Sequence, residues 1–300
     1  MKVKIKAVAI IVVLLVATGL FWELGCVMAA AEFVIPVPSA PGTAAHSNEK
    51  AIIDYSNAKE GYISVKYLKN TTRQLIVIIK APNGVSYTYR IKPGIFEFFP
   101  LSESNGSYSI DVYEHVEGTK YSIANSAIIS VTLVNEFVPF LTPSQYVNYN
   151  ENSQAVIRAI EIVGVTVSII EKISVIYNYI ISNFTYDKEL ARNVQSGYIP
   201  DVDAVLRRRQ GICFDYAALM TAMIRSHGIP CQLVVGYAGE IYHAWINVYS
   251  IETGWINKVI YFSGRSWTLM DPTFASTSNQ SKEIMKFIGD GSNYSVRFRY

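Results

Sequence analysis

The sequence predicts an α+β protein in which an antiparallel β-sandwich precedes a domain of helices and a second antiparallel sheet. Residues 51–135 contain short runs in which apolar and polar side chains alternate, the two-residue period of half-buried strands. After Pro139 the period lengthens to that of helices, and strand patterns return after Pro230. Because the helices come before the second group of strands, the pattern favours α+β over an alternating parallel fold.

The first group of strands predicts a small β-sandwich over residues 49–137. Three runs alternate clearly, and Asn83-Gly84 between two hydrophobic runs is a strong hairpin signal. Asn105-Gly106 predicts another turn. The positions expected to face the core are Ile63, Val65, Tyr67, Val85, Tyr87, Tyr89, Ile91, Tyr108, Ile110 and Val112. Several strands at this spacing are typical of a sandwich.

Four helices and a group of strands are predicted in the rest of the chain, residues 138–300. The helices cover residues 155–162, 168–183, 202–209 and 213–227. Asp201 is a typical N-cap, Gly211 is expected to end the third helix, and Gly228 and Pro230 close the last one. The strands are 231–238, 243–250 and 266–271, with a weaker run at 255–262 and a turn at Gly264-Arg265.

The N-terminus has the three parts of an export signal. Three lysines within the first six residues precede an apolar run over residues 7–22, and Ala29-Ala30-Ala31 offers small residues for cleavage. We therefore expect a signal peptide over residues 1–31, cleaved after Ala31, and a Pro- and Ala-rich linker over residues 32–48. The mature protein would be secreted or otherwise extracytoplasmic, at the cell surface.

Two alternatives remain for the N-terminal segment. It could stay uncleaved as a membrane anchor, although the apolar run is shorter than the roughly 20 residues of a membrane span and Glu23 interrupts it. It could also be a lipoprotein signal through Leu24-Gly25-Cys26, but Glu23 stands where such signals have an apolar residue. Only an uncleaved segment would bring the protein to a membrane.

The charge balance excludes a typical nucleic-acid-binding protein. Lys and Arg number 26 against 24 Asp and Glu, which gives a net charge of +2. The one basic run, Arg207 to Arg209, is expected to be solvated at a helix end, where it complements the helix dipole.

The cysteines are expected to be free thiols in spite of the export signal. Cleavage after Ala31 removes Cys26 and leaves Cys213 and Cys231, which an oxidising compartment tends to join. A helix over residues 213–227 separates its ends by roughly 20 Å at a rise of about 1.5 Å per residue. A disulfide requires Cα atoms within about 7 Å of each other, so these two cannot pair.

Three residues form a candidate catalytic triad. Cys213 begins a helix, where the free backbone N–H groups and the dipole stabilise a thiolate. His243 opens a strand and shares its face with Trp245 and Asn247, and Asp271 ends a later strand. Each has an ordinary structural explanation when considered alone: a packed small side chain, a core histidine and an Asp-Pro turn. Together they are the residue types of a thiol–imidazole–carboxylate site.

In their order and local context these residues resemble the transglutaminase-like superfamily, the papain-related thiol enzymes. The resemblance covers roughly residues 145–275 and does not include the residues before Asn135. Its motifs are Asn183 to Asp187, Gly211 to Tyr216, Gly228-Ile229-Pro230, Val234 to Tyr237, His243-Ala244-Trp245 and Trp267 to Thr273.

The resemblance implies roles for the three residues. Cys213 would attack an amide carbonyl and form a thioester, His243 would transfer the proton, and Asp271 would orient the imidazole. The Cys213 backbone N–H would be one oxyanion donor. Tyr186, Gln210 and Trp245 are candidates for the second, although packing alone would also explain the two aromatic residues. Cys231 is expected to be buried and inert, and His227 to have a structural role near the end of its helix.

No cofactor or metal is expected. The sequence has no HExxH motif, no CxxC pair and no phosphate-binding glycine loop. Some animal members of the family need calcium, but Asp201-Val202-Asp203 is too short a signal for a site of six or more oxygen ligands.

The sequence leaves two functions open. The first is an exported thiol enzyme that acts on protein or peptide amides by cross-linking, deamidation or hydrolysis, with cell-wall peptides or surface proteins as partners. The second is a catalytically idle surface or cell-wall binding module on the same fold, since fold alone does not establish activity.

Overall fold

The computed structural model describes residues 33–300 apart from Val167 and the segments 251–253, 257–272 and 274–292. The described residues belong to one compact unit, which spans 33–300. The predicted signal peptide, the turn at Gly264-Arg265 and the strand 266–271 with Asp271 lie outside them. Within the described part of the chain, no helix is both long enough and apolar enough to cross a membrane. The assignment of 1–31, 32–48, 49–137 and 138–300 to separate regions stays a prediction.

The α+β class is confirmed, and the N-terminal strands form two antiparallel four-stranded sheets. The first sheet has the order β1-β2-β3-β6. Its strands are β1 (Ala45–Ser47), β2 (Ala51–Asp54), β3 (Tyr62–Tyr67) and β6 (Phe96–Pro100). The second has the order β5-β4-β7-β8, with β4 (Leu75–Lys80), β5 (Ser86–Ile91), β7 (Gly106–Glu117) and β8 (Lys120–Val131). Strand β1 lies inside the predicted linker.

The two sheets share a core, as the alternation predicts. Along β5 every second residue, Tyr87, Tyr89 and Ile91, is buried. The ring of Tyr89 packs across the sandwich on Phe99 of β6, with 4.6 Å between ring centroids. The predicted Asn83-Gly84 hairpin joins β4 to β5, and a φ of +86° at the glycine explains the choice of residue. These aromatic residues extend the core toward the helical part of the chain.

The helices precede a third sheet. They are α1 (Gln154–Val163), α2 (Ile169–Asn183), α3 (Lys188–Asn193), α4 (Val202–Arg208) and α5 (Cys213–Arg225), with short 3-10 turns at Ala58–Glu60 and Val138–Phe140. A two-residue parallel pair joins β9 (Thr185–Tyr186) to β10 (Gln210–Gly211). The sheet is antiparallel with the order β13-β12-β11-β14. Its strands are β11 (Cys231–Ala238), β12 (Ile241–Ser250), β13 (Gly254–Ile256) and β14 (Tyr294–Arg299).

Several element ends differ from the prediction by a few residues. Asp201 caps α4 as expected, because its carboxylate accepts from the Ala204 N–H at 2.9 Å. The helix ends before Gly211, however, since Arg209 already has a left-handed backbone with φ of +51°. Strand β12 begins at Ile241, so His243 lies inside the strand and does not open it.

Helix α5 is the centre of this half of the molecule. Every residue from Asp215 to Arg225 is buried, so the helix has no solvated face beyond its first turn. It packs against α1, α2 and α4 on one side and against β11 and β12 on the other. The packing fixes the first turn of α5, which carries Cys213, against the sheet that carries His243.

Candidate active site

Cys213 is the first residue of helix α5. Ile212 before it has an extended backbone, with φ of −93° and ψ of 175°, and acts as the N-cap residue. The side chain of Cys213 is half-buried and makes no disulfide. The first N–H groups of a helix lack intrahelical partners, so the thiol lies at the positive end of the dipole, as predicted.

A buried carboxylate fixes the turn that presents Cys213. Asp215, which is fully buried, accepts hydrogen bonds from the Ile212 N–H at 3.0 Å and the Tyr198 hydroxyl at 2.7 Å. Arg208 lies 3.3 Å from the same carboxylate and donates from Nε to the Gln210 carbonyl oxygen at 2.8 Å. Burial raises the pKa of Asp215, and these three donors oppose that rise. The network ties the start of α5 to the end of α4.

His243 lies on β12 with its side chain buried. Its ring stacks beside that of Trp245, with 6.4 Å between centroids and 21° between planes, as expected for two residues on one face of a strand. Gly236 of β11 is the residue directly opposite His243. The buried ring has a fixed environment on the strand, which is what a positioned proton carrier needs.

Cys213 and His243 line the same cavity, which has a volume of 680 Å³. Asp271, the third predicted residue, lies outside the described residues, so its place relative to His243 stays a prediction. The cavity wall comes from several parts of the chain that are distant in sequence. Its residues are Ser86 and Thr88 of β5, Tyr146, Tyr186, Ala191, residues 194–198, Ile212, Phe214, Val235, Tyr242, Ala244, Arg297, Phe298 and Tyr300.

The three candidates for a second oxyanion donor differ in whether they line the cavity. Tyr186 lines the cavity. Gln210 has an exposed side chain on β10, and Trp245 is buried behind His243, and neither is among the residues that form the wall. Tyr186 is therefore the candidate that the geometry retains, beside the backbone N–H of Cys213.

The second cysteine differs sharply from Cys213. Cys231 is fully buried on β11, and its sulfur lies 3.6 Å from the Thr221 hydroxyl. Burial raises the pKa of the Cys231 thiol to about 12. The thiol is protonated at neutral pH, which agrees with the predicted inert role.

His227 is a structural residue, but it does not act through a charge on the helix dipole. Burial is the main cause that lowers the pKa of His227, and the nearby Lys172 lowers it further. A hydrogen bond to the Ala159 backbone opposes these effects without reversing them. The imidazole is therefore held neutral at the end of α5.

The two aspartates around residue 202 are helix caps. Asp201 caps its own helix, and Asp203 accepts from the Ala155 N–H at 2.9 Å at the start of α1. Throughout the described segments, no three His, Cys, Asp or Glu side chains cluster closely enough to hold a metal ion. The carboxylates of Asp201 and Asp203 thus have capping roles at the starts of α4 and α1.

Several wall residues were not predicted from sequence. Ser86 and Thr88 are the polar half of the alternating strand β5, whose alternation indicates only that they face away from the sandwich core. Tyr198 belongs to a loop without a pattern, whereas Arg297 stands in the alternating run of residues 294–299, which could have identified its strand. No local signal places them at the site, because their contact with it is made by distant parts of the chain.

Comparison with known proteins agrees with the motifs. The model of the Transglutaminase-like superfamily matches residues 158–272, which include Cys213, His243 and Asp271. The uncharacterized protein YebA of Bacillus subtilis is 29% identical over 108 residues, which are 29% of this chain and 14% of that protein. The chain therefore spans a small part of this relative's length.

Two solved structures are similar at low sequence identity. One is a putative cysteine protease of Cytophaga hutchinsonii, with a TM-score of 0.36, 18% identity and 71% of each chain covered. The other is red sea bream transglutaminase, with a TM-score of 0.27 and 13% identity over 76% of this chain and 53% of that one. Residues 158–272 of this chain therefore match the transglutaminase-like superfamily, the family that the motifs resemble.

Proposed function

We propose that the protein is a thiol enzyme that transfers acyl groups from protein or peptide amides to water or to an amine. The observation that carries this proposal is that Cys213, at the start of α5, and His243, buried on β12, line one cavity. A nucleophile at a helix start with a positioned imidazole across a cleft is the arrangement needed for covalent amide chemistry.

The first half of the reaction forms a thioester. His243 accepts the thiol proton, and the Cys213 sulfur attacks the carbonyl carbon of the amide. The resulting oxyanion is stabilised by the Cys213 N–H and by Tyr186. The carbon–nitrogen bond then breaks, and the imidazolium gives its proton to the departing amine or ammonia. Asp271, by its place in the family motif, would hold the imidazole in the required tautomer.

The second half returns the enzyme to its starting state. Water or an amine attacks the thioester carbon while His243 accepts its proton. The carbon–sulfur bond breaks, and the thiolate regains the proton from the imidazolium. Water yields a carboxylic acid, so the reaction is deamidation or peptide hydrolysis, whereas an amine yields a cross-link.

The same proposal includes a location and a substrate class. Residues 1–31 have the pattern of an export signal, so we place the mature protein outside the cytoplasm. Peptides of the cell wall and surface proteins are the amides available there. We propose no nucleic-acid partner and no cofactor, since the triad chemistry needs neither.

Thiol labelling tests the activated nucleophile. We expect iodoacetamide at pH 7 to modify Cys213 at least tenfold faster than Cys231, as measured by mass spectrometry of the two peptides. His243→Ala should slow the labelling of Cys213, because the sulfur loses its proton acceptor. Equal and slow labelling of both cysteines would contradict the proposal.

Turnover tests the reaction itself. The protein is incubated with a glutamine-containing peptide and a labelled primary amine, and ammonia release, amine incorporation and peptide cleavage are followed together. Cys213→Ala should abolish every one of these signals, while Cys231→Ala, the matched loss of a thiol, should retain them. If the parent and Cys213→Ala give the same signal with all amides tried, the protein is a binding module on an idle fold.

A further inference from the structure

The described residues of the cavity wall carry a positive charge and no negative one. Among the described residues of its wall there is no Asp or Glu, and Arg297 is the single Lys or Arg. The side chain of Arg297 is exposed to solvent and makes no ion pair with any residue that the structure describes. A permanent positive charge without a counter-ion in a cleft attracts an anionic group of the ligand.

Arg297 reaches the cavity because of a β-bulge. Val235 of β11 pairs with Phe298 of β14, but the next residue, Gly236, pairs with Val296. Arg297 is therefore the extra residue on β14 and has no partner on β11. A bulge turns consecutive side chains toward one side of a strand. This explains how both Arg297 and Phe298 line the cavity.

Gly236 makes room for the bulge. A Cβ atom at this position would lie 2.0 Å from the backbone oxygen of Ser295 and 2.9 Å from the ring of Trp245. Only glycine allows β14 to approach so closely. Gly236 also pairs with His243 on the other side of β11. The same residue therefore contacts both the bulge of β14 and the strand that carries the imidazole.

Arg297 lines the same cavity as Cys213 and His243. Its guanidinium stands over the ring of Phe298, with 5.2 Å from Cζ to the centroid. Burial raises the pKa of Tyr242, while Arg297 lowers it and Cys213 raises it. The Tyr242 hydroxyl is therefore within electrostatic range of both the guanidinium and the nucleophile.

We propose that Arg297 binds a carboxylate of the acyl-donor peptide close to the amide that Cys213 attacks. The proposal rests on the proposed function and narrows its substrate class to peptides that carry such a carboxylate. A planar guanidinium forms two parallel hydrogen bonds with a carboxylate, which fixes orientation as well as charge. The carboxylate comes either from an acidic side chain or from a free C-terminus, since both present the same group.

The cavity has the size and chemistry for this ligand. Its 680 Å³ falls within the roughly 300–1,000 Å³ typical of small-ligand pockets, enough for a few residues of peptide. The tyrosines Tyr146, Tyr186, Tyr198 and Tyr242 line it and offer apolar ring faces to the peptide. In this arrangement Arg297 selects peptides that carry a negative charge.

Three peptides with one central glutamine test the proposal. The first is acetyl-Ala-Gln-Ala-Glu amide, the second acetyl-Ala-Gln-Ala-Ala with a free C-terminus, and the third acetyl-Ala-Gln-Ala-Ala amide, which has no carboxylate. Binding is measured by calorimetry to the Cys213→Ala protein, so that no turnover is needed. Release of ammonia or amine by the Cys213 protein is measured separately.

The wild-type site should bind at least one carboxylate peptide with a Kd about tenfold or more below that of the neutral peptide. This is the effect expected of a hydrogen bond to a charged group. Arg297→Gln should remove that preference, and Arg297→Lys should keep part of it. Arg192→Gln is the matched control, because it removes the same charge from an exposed position on α3 outside the cavity wall. Preference for the first or the second peptide identifies the source of the carboxylate.

The outcomes separate this proposal from the proposed function. No preference for either carboxylate peptide, or a preference that survives in Arg297→Gln, overturns the role of Arg297 even when turnover is observed. An Arg297-dependent preference in binding, with no Cys213-dependent turnover, supports the role of Arg297 and overturns the enzyme. An equal loss of affinity for all three peptides in Arg297→Gln would indicate that Arg297 has a structural role, and it also overturns the proposal.

Discussion

The carboxylate of Asp215 accepts a hydrogen bond of 3.0 Å from the backbone N–H of Ile212, the residue directly before Cys213. Because Asp215 is fully buried and also binds Tyr198 and Arg208, its loss leaves several donors without a partner. We predict that Asp215→Ala lowers the free energy of unfolding by about 3 kcal/mol. Urea denaturation measures this loss, and slower labelling of Cys213 would report the displaced thiol.

Asp201→Asn provides the control for a capping carboxylate. Asp201 caps α4 from an exposed position, and asparagine is an equally good cap, so this change should cost less than about 0.5 kcal/mol. A similarly small effect of Asp215→Ala would contradict the predicted role of the buried carboxylate.

Tyr186 is predicted to contribute to the reaction rate and not to stability. If its hydroxyl stabilises the oxyanion, Tyr186→Phe should lower kcat by about 100-fold while KM changes little. Gln210→Ala, at a candidate whose side chain is exposed and is not part of the cavity wall, should change kcat less than threefold. Single-turnover measurements of thioester formation distinguish an effect on the chemical step from one on product release. Equal effects of the two substitutions would exclude Tyr186 as the donor.

The local signals in the sequence were sufficient to predict most of the helices and strands. The alternating run at Tyr87, Tyr89 and Ile91 identified β5 and its buried face, and Asn83-Gly84 identified the hairpin before it. Likewise the cap at Asp201 and the apolar segment after Cys213 identified α4 and α5. In each case the period or the turn chemistry acts within a few residues, so it can be read without knowledge of the fold.

The parts that were missed depend on contacts between distant residues. Residues 294–300 alternate between apolar and polar side chains, a local signal that could have identified strand β14. The bulge that brings Arg297 to the cavity, however, arises only where β14 pairs with β11. Helix α3 has six residues and no buried side chain, so it has no apolar stripe to detect. The site residues Cys213 and His243 were found because each stands in a motif with a chemical reason, which Arg297 does not.

His227 should make the folded protein sensitive to acid. Burial and Lys172 lower its pKa, so the folded state keeps the imidazole neutral at a pH where the unfolded chain binds a proton. The stability present above pH 6.5, the ordinary value, is therefore lost as the pH falls through the lowered pKa. Denaturation curves between pH 8 and pH 5 should show a flatter dependence for His227→Gln than for the wild type. A parallel pair of curves would contradict the assignment.

Arg225 connects four parts of the half of the molecule that carries Cys213 and His243, without a carboxylate partner among the described residues. It is fully buried on α5 and donates from Nε to the Cys231 oxygen at 2.8 Å, from Nη1 to Thr142 at 3.1 Å and from Nη2 to Tyr300 at 2.8 Å. Removing the guanidinium leaves three buried carbonyl groups without these donors. We predict that Arg225→Met lowers the free energy of unfolding by about 3 kcal/mol or more.

Arg225→Lys should not restore the lost stability, because an ammonium group cannot reach three carbonyls that match a planar fork. Arg158→Met is the matched control: Arg158 forms an exposed pair of 2.8 Å with Glu161, and its loss should cost at most about 0.5 kcal/mol. Urea denaturation of the three variants decides the matter. Since Tyr300 lines the cavity, Arg225→Met should also change the labelling rate of Cys213 under conditions in which the variant stays folded. Full stability in Arg225→Lys would show that charge alone, and not the three-way geometry, holds these segments together.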